Sequence, residues 1–448
     1  MKKQFDHSFA WALWGSIVFE MLKIGQNIAL LHLSVPPLYG LIGSVFAIIY
    51  LAVRIADFGA TNTLAPYFHT LMASKAQCKK ILLYGFLGPA LFMVAITIGG
   101  ALWFCSYRIA LHNTLILFIV IPLVILFETL RLFFRQLLHM TFQSRQVIIT
   151  ELALFLFYLT LVWTPIIMLG VKPSLNLIFI PYLVDSTLAI GIFYLLFIKF
   201  YRKLPSEQSI LETTFWSRFT KLRILNYFLR IGKNMFTSNL LTPLFALQFG
   251  LTQAGIFYFA SILATSIQAL VKATLEYAGN TLFAHVKTHE HKSKQMAFTM
   301  VADKLMLILI PISLFLIFNY KRLMLVGMHR TITNEILTLS GLYLAVTFTE
   351  FFFSLYEQFY ILQEAVLTVV FIRALEFLAF YWVITLYSYT SPAMILVGTF
   401  MVRVVSFAFM AIIAYWRWNI KPKIRISFSY AIGCLGIALF CLLLLSIR

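Results

Sequence analysis

Charged and polar side chains stand inside long apolar stretches of this 448-residue chain. A lysine or arginine at the centre of a membrane-spanning helix costs about 2.5–3.5 kcal/mol on insertion scales, so it needs a partner or water. The first stretch carries such groups every three or four residues, which places them on one helical face: Ser16, Glu20, Lys23 and Asn27. This face predicts a polar interior lining, because helices that face lipid do not carry such a stripe.

Similar groups on later stretches predict a cavity that binds an anion. Arginine offers a planar fork that holds a phosphate at two points, and lysine acts as a point charge. A cavity with a surplus of arginine suits an anionic amphiphile, such as a lipid diphosphate that carries sugars. The predicted cavity residues are Glu20, Lys23, Asn27, Arg54, Asp57, Arg131, Lys272, Arg373 and Arg403.

The same charges could instead fasten helices to one another. Oppositely charged residues three or four positions apart can pair within one helix, as in Glu20/Lys23, Arg54/Asp57, Glu128/Arg131, Lys272/Glu276 and Arg373/Glu376. Asp185 and Arg403 lack such a neighbour, so we expect their partners on another helix or in a ligand. The carboxylates that could couple substrate movement to protons or sodium are Asp57, Asp185 and Glu350.

The elements that carry these residues are predicted to be membrane-spanning helices. Hydrophobic residues make up 61% of the chain and charged residues 11%, whereas a soluble domain has about 25% charged residues. A helix needs about 20 apolar residues to cross the hydrocarbon core. The sequence therefore predicts an all-α polytopic membrane protein with about 12–14 transmembrane helices. We identify thirteen stretches: 9–33, 38–65, 80–104, 112–138, 146–170, 175–199, 226–249, 253–283, 298–320, 334–361, 364–388, 393–416 and 427–447.

The spacing of these stretches predicts two lobes of six helices around a central cavity. The first lobe covers 1–200, the second covers 226–417, and 427–447 forms an additional helix. Between the lobes, 201–225 is predicted to be a cytoplasmic amphipathic linker that lies on the membrane. Tyr39-Gly40 and Ala254-Gly255 each open a long helix at an offset of 215 residues, which is a weak internal repeat.

Loop charges predict that the N-terminus is cytoplasmic, because lysine and arginine concentrate in the loops that this orientation places inside. The net charge of +19 is explained in the same way, so we expect no nucleic-acid partner. The four cysteines show neither disulfide-type nor metal-type spacing, so we expect no metal and no cofactor.

One stretch resembles a known family. The sequence from Tyr39-Gly40 to Tyr50, followed by Asp57-Phe58-Gly59, is similar to the second helix of bacterial polysaccharide flippases in the multidrug/oligosaccharidyl-lipid/polysaccharide exporter superfamily. The resemblance implies flipping of a lipid-linked anionic oligosaccharide, of the undecaprenyl-diphosphate type, across the bacterial cytoplasmic membrane. It implies alternating access between two lobes, a role in polysaccharide or lipopolysaccharide (O-antigen) biosynthesis, and membrane lipids as partners.

Two other functions remain open at this stage. One is a multidrug or small-molecule antiporter of the same architecture, coupled to a cation. The other is a polytopic glycosyltransferase, polymerase or ligase. Such enzymes need a large external loop with catalytic groups, whereas the longest predicted external loop, 321–333, contains no carboxylate. We therefore expect a protein that is not an enzyme.

Overall fold

Helices make up almost all of the structure. The computed structural model describes residues 2–108, 113–141, 143–206, 215–234, 236–274, 298–299, 334–362, 365–387 and 390–418. Within these ranges eight helical segments are long and apolar enough to cross a membrane. The predicted all-α polytopic fold is thereby confirmed. The α-helices are α1 (Lys2–Leu33), α2 (Pro36–Ala56), α3 (Ala60–Leu71), α4 (Lys75–Lys80), α5 (Gly88–Trp103), α6 (Ile121–Met140), α7 (Ser144–Leu169), α8 (Leu175–Tyr201), α9 (Phe215–Asn234), α10 (Ser238–Phe249), α11 (Leu251–Thr274), α12 (Asn334–Leu362), α13 (Val366–Tyr387) and α14 (Pro392–Trp418).

The predicted helix 38–65 is interrupted in the structure. Helix α2 ends at Ala56, and α3 begins at Ala60. The turn between them places Phe58 at φ 46° and Gly59 at φ 71°, both in the left-handed region that favours glycine. The prediction of one continuous helix was therefore wrong at this point, because the glycine in Asp57-Phe58-Gly59 lets the chain change direction.

Three π-helical segments widen the helices around α5 and α6. They cover Ile81–Leu87, Phe104–Arg108 and Ile116–Val120. The first and the third end just before a proline, at Pro89 and Pro122. Proline lacks an amide hydrogen and collides with the carbonyl group four residues earlier in an α-helix. The wider π-helical turn makes room for the proline ring and tolerates the missing hydrogen bond, so the helix continues.

The predicted boundary at 225 falls inside helix α9. This helix runs from Phe215 to Asn234, and a short break separates it from α10. Phe215 and Phe219 are buried in an aromatic cluster with Phe86, Phe133 and Phe197. The apolar face of the predicted amphipathic linker thus packs against protein, because neighbouring helices offer an aromatic surface for it.

Contacts divide the chain into two compact units, which are not identical to the predicted lobes. Unit 1 contains Met1–Gly15 and Leu33–Gly255, and unit 2 contains Ser16–His32 and Ile256–Arg448. The predicted domain boundaries at 200, 226 and 417 stay predictions. The predicted helices 298–320 and 427–447, and the end of 253–283, lie outside the described residues apart from 298–299.

Candidate functional site: buried charge clusters

Unit 1 contains a group of charged side chains where helices α6, α7 and α8 meet. We call it the first cluster, and it consists of Glu128, Arg131, Arg135, Glu151 and Asp185. Nη1 of Arg131 lies 2.9 Å from Oε1 of Glu128 and 2.9 Å from Oδ2 of Asp185. Nε of Arg131 lies 3.6 Å from Oε1 of Glu151, which also lies 3.2 Å from Nη1 of Arg135. One guanidinium group therefore joins three helices.

A serine completes the hydrogen bonding of the first cluster. Ser186 donates a hydrogen bond of 2.6 Å from Oγ to Oε1 of Glu128. Asp185 is only 4% exposed, and its Oδ1 atom has no hydrogen-bond partner among the described residues. The first cluster thus holds three carboxylates and two guanidinium groups, with one buried oxygen able to accept a proton.

Unit 2 contains a corresponding group where helices α12, α13 and α14 meet. We call it the second cluster, and it consists of Glu350, Glu357, Arg373, Glu376 and Arg403. Arg373 lies 3.2 Å from Glu350, 2.7 Å from Glu357 and 2.9 Å from Glu376. Arg403 lies 2.6 Å from Glu350 and 3.2 Å from Glu376. Again two guanidinium groups are held by three carboxylates.

The charged side chains of the second cluster are buried. Arg403 is 1% exposed, and Arg373 is 2% exposed. The guanidinium carbon of Arg373 also lies 3.7 Å from the ring centroid of Phe353, which is a cation–π distance. Removing one partner of a buried ion pair leaves an uncompensated charge and costs about 3–5 kcal/mol. These arginines therefore fasten three helices together, and their charge is already matched.

In both clusters the charged groups come from three helices. In the first, α6 contributes both arginines and Glu128, and α7 and α8 contribute one carboxylate each. In the second, α12 contributes two carboxylates, α13 contributes Arg373 and Glu376, and α14 contributes Arg403. Each arrangement brings opposite charges together across helices and so stabilises a bundle of three.

Asp57 pairs with a residue far away in the sequence. It forms an ion pair with Arg230 of α9 and is 1% exposed. Arg223, about two turns earlier on α9, donates a hydrogen bond of 2.9 Å from Nε to the carbonyl oxygen of Phe58. Asn226 donates one of 3.1 Å from Nδ2 to Oγ1 of Thr63. Helix α9 thus holds the turn between α2 and α3 from both sides.

Arg223 is buried beside two aromatic rings in that junction. Its guanidinium carbon lies 5.0 Å from the ring centroid of Phe58 and 5.6 Å from that of Phe86. Burial lowers the pKa of Arg223 to about 10, although the charge of Asp57 opposes this effect. The side chain is therefore still protonated at pH 7 and contributes a positive charge to the junction.

The polar face of α1 has a partner in α11. Nζ of Lys23 lies 3.0 Å from Oε1 of Glu20, and Oγ of Ser266 donates a hydrogen bond of 3.0 Å to Oε2 of the same carboxylate. Asn27 donates a hydrogen bond of 2.9 Å from Nδ2 to the carbonyl oxygen of Lys23. The side chain of Lys23 is 35% exposed, so the protein does not enclose it fully.

The nine predicted cavity residues thus fall into several groups. Glu20, Lys23 and Asn27 lie on the α1 face, and Arg131 belongs to the first cluster. Arg373 and Arg403 belong to the second cluster. Arg54 lies half-buried near the end of α2, one turn before Asp57. The side chain of Lys272 lies outside the described residues. That these residues line one shared cavity stays a prediction.

Sequence spacing identified some partners and missed others. The pairs Glu20/Lys23, Glu128/Arg131 and Arg373/Glu376 form as predicted within single helices. Asp185 and Arg403 do have partners on other helices. The sequence analysis missed Glu151, Ser186 and Ser266. For Glu151 a signal existed, since it is an isolated carboxylate within an apolar helix.

The fold can be compared with known proteins. No protein-family model matches the sequence, and no curated protein matches it. Solved structures do match. One is an outward-facing MATE-family multidrug resistance transporter of the MOP superfamily, with 10% identity, a TM-score of 0.61, and coverage of 93% of this chain and 96% of that chain.

Two further structures show the same likeness. The lipid II flippase MurJ, in an inward closed conformation, has 12% identity and a TM-score of 0.57, with coverage of 98% of this chain and 97% of its own. A MOP superfamily transporter from Pyrococcus furiosus has 10% identity and a TM-score of 0.59, with coverage of 93% and 96%. At these identities the likeness shows that this chain shares its fold with these structures.

Proposed function

We propose that this chain moves a lipid-linked anionic oligosaccharide across the bacterial cytoplasmic membrane by alternating access. The main support is a fold shared with a MATE-family multidrug resistance transporter of the MOP superfamily and with the lipid II flippase MurJ. The N-terminus is proposed to be cytoplasmic, in keeping with the loop charges. The substrate is proposed to carry an undecaprenyl-type diphosphate. Membrane lipids are the proposed partners that surround the protein.

Within the predicted cavity set, we assign phosphate binding to Lys23 and Arg54. Both retain some exposure, whereas Arg373 and Arg403 are enclosed and matched by carboxylates. A guanidinium group that already faces two or three carboxylates has little capacity left for a phosphate. Arg131, Arg373 and Arg403 therefore act as positioning residues that hold the helices, and Glu20 and Asn27 orient Lys23.

We assign coupling to the carboxylates of the two clusters. Among the residues described, each cluster has one carboxylate more than it has guanidinium groups. An unmatched charge in a low-dielectric interior is costly, and binding one proton or one monovalent cation removes it. Asp185 and Glu350 are the main proposed coupling residues, and Asp57, which pairs with Arg230, is the third.

The second candidate is a multidrug or small-molecule antiporter coupled to a cation. It is favoured by the MATE-family transporter of similar fold. A cationic drug would need an exposed carboxylate in the cavity. Glu20 is the candidate, although Lys23 and Ser266 already contact it.

A vesicle assay tests both candidates. The purified chain is reconstituted into liposomes that contain a fluorescent polyprenyl-diphosphate oligosaccharide. Dithionite bleaches only the outer leaflet, so flipping increases the bleached fraction. We expect flipping with wild type and none in empty liposomes. Efflux of a cationic dye in the same liposomes, without flipping, would contradict the proposal and favour the antiporter.

A further inference from the structure

Helix α9 has two unlike faces. Its buried face holds the turn between α2 and α3 through Arg223, Asn226 and Arg230. On the opposite face, exposed residues follow one another at intervals of three or four positions, as they do along one side of a helix: Ser217, Lys221, Ile224 and Phe228. Although apolar, Ile224 is 40% exposed and Phe228 is 52% exposed. This face is therefore available to a partner that is partly apolar.

A groove of about 620 Å³ lies on this exposed face. We call it the α9 groove, and the described residues that line it are Trp216, Ser217, Thr220, Lys221, Ile224 and Leu225. They combine an ammonium group and two hydroxyl groups with an indole ring and two aliphatic side chains. An ammonium group beside hydroxyl donors suits a phosphate, which accepts hydrogen bonds. The aliphatic side chains suit hydrocarbon, so the α9 groove matches a molecule that contains both.

Basic side chains gather at the start of α9. The hydroxyl of Tyr201 donates a hydrogen bond of 3.3 Å to the carbonyl oxygen of Lys75, whose amide donates one of 2.9 Å to the carbonyl oxygen of Pro205. The ring centroid of Tyr67 on α3 lies 5.3 Å from that of Phe215. The elements joined in this way carry basic residues that are exposed or, for the first, half-buried: Lys75, Lys79, Lys80, Lys199, Arg202, Lys203, Arg218 and Lys221.

Acidic residues are scarce in the same part of the chain. Segments 72–80, 196–206 and 215–225 contain no aspartate or glutamate, and the sequence between the last two adds only Glu207 and Glu212. Clusters of about four to eight lysines and arginines beside a membrane helix are typical of sites for anionic lipid headgroups. A soluble anion would use this charge but not the aliphatic side chains of the α9 groove. Charge and groove together therefore favour an anionic lipid.

We propose that the α9 groove binds an anionic glycerophospholipid. Lys221 and the hydroxyl groups of Ser217 and Thr220 hold the phosphate, and an acyl chain lies along Ile224 towards Phe228. The opposite face of the same helix holds the turn between α2 and α3, so a lipid bound here stabilises the docked state of α9 by mass action. This lipid is a bound regulator of the α9 junction and is distinct from any transported substrate.

Lipid binding to the purified chain in detergent tests the site. The chain is titrated with phosphatidylglycerol or phosphatidylcholine, and native mass spectrometry gives the dissociation constant of the first bound lipid. We expect tighter binding of phosphatidylglycerol. Lys221→Gln should weaken its binding about fivefold, because one basic residue near an anionic lipid contributes this much attraction. Ile224→Ser should also weaken it, whereas Lys172→Gln, at an exposed position between α7 and α8, should bind like wild type.

Three results would overturn the lipid site. One is wild-type affinity for phosphatidylglycerol in both Lys221→Gln and the double variant Arg218→Gln/Lys221→Gln. Another is equal affinity of the wild type for the two lipids, which would remove the role of charge. The third is displacement of phosphatidylglycerol by inorganic phosphate, which would indicate a site for a soluble anion. The substituted positions are exposed, and a single symmetrical peak in size-exclusion chromatography checks that each variant is folded.

Hydrogen exchange tests the effect of the lipid on the turn. Phosphatidylglycerol should slow amide exchange in residues 57–63 of the wild type, because α9 must leave its docked position for this segment to open. The same lipid concentration should slow it less in Lys221→Gln. Unchanged exchange in the wild type with lipid bound would overturn the regulatory role. Neither experiment contains a transported substrate, so a failed flipping assay would reject the proposed function and leave the lipid site intact.

Discussion

At the scale of single residues, buried arginines and half-exposed cations have different consequences. Arg403 lies between two carboxylates in the second cluster, whereas Lys23 pairs with one carboxylate and is 35% exposed. A buried arginine whose charge is neutralised by neighbouring carboxylates chiefly holds helices in position. A side chain that the protein does not fully enclose can still bind a ligand. Replacing a buried arginine should therefore lower the stability of the fold, whereas replacing Lys23 should reduce flipping.

We expect Arg403→Gln to destabilise the fold. The change leaves three carboxylates against one guanidinium group, and an uncompensated buried charge costs about 3–5 kcal/mol. The measurement is the thermal unfolding midpoint in detergent. Glu357→Gln is the matched control, since it leaves two carboxylates against two guanidinium groups and should lower the midpoint far less. Equal losses for both variants would refute the charge-balance argument.

Lys23→Gln is expected to reduce flipping about tenfold at limiting substrate, because one charge-assisted contact to phosphate is worth about 1.5–3 kcal/mol. The unfolding midpoint should fall less than in Arg403→Gln, since Lys23 is partly exposed and pairs with a single carboxylate. Lys172→Gln, at an exposed position between α7 and α8, should leave flipping unchanged. A large fall in the unfolding midpoint of Lys23→Gln would assign this lysine to structure instead.

At the scale of elements, apolar length predicted most helices, and backbone geometry decided where they break. Helices α7, α8, α12 and α13 begin and end close to their predicted limits, because their apolar runs are bounded by polar residues or prolines. The break at Phe58–Gly59 was not predictable from hydropathy. It depends on partners on α9 that follow more than 160 residues later.

Gly59→Ala should destabilise the junction of α2, α3 and α9. Its added Cβ would lie 2.6 Å from the carbonyl oxygen of Arg223, in addition to the strain of a positive φ. We expect a loss of about 2–4 kcal/mol in unfolding free energy. Gly170→Ala is the matched control, because Gly170 has a similar φ of 62° but open space around it. A similar loss in both variants would show that α9 does not constrain the turn.

At the scale of the whole molecule, charge balance links the two clusters to energy coupling. The charged residues are visible in the sequence. How many carboxylates and guanidinium groups meet in one cluster is known only from the structure, because the helices that carry them come from different parts of the chain. Glu350 meets Arg373 across 23 residues, and Asp185 meets Arg131 across 54. No helical spacing rule covers such distances, which is why the clusters themselves were not predicted.

Asp185→Asn and Glu350→Gln should each uncouple flipping from an imposed proton or sodium gradient. Each change removes the excess carboxylate of one cluster, so no cation is needed to balance it. In liposomes, wild-type flipping should accelerate when a gradient is imposed, whereas the variants should flip at one gradient-independent rate. Lys172→Gln serves as the control. Variants that still respond fully to every gradient would exclude these carboxylates from coupling.

The assignment of residues 16–32 to unit 2 has a consequence for biosynthesis. Glu20 contacts Ser266, which is 246 residues further along the chain. At about 5–20 residues per second, the ribosome needs roughly 12–50 s to reach it. Until then a newly inserted first helix carries a carboxylate and an ammonium group in lipid without their final neighbour. Chains that end at residue 255 should therefore be recognised by membrane proteases and degraded faster than full-length chains in a pulse-chase experiment.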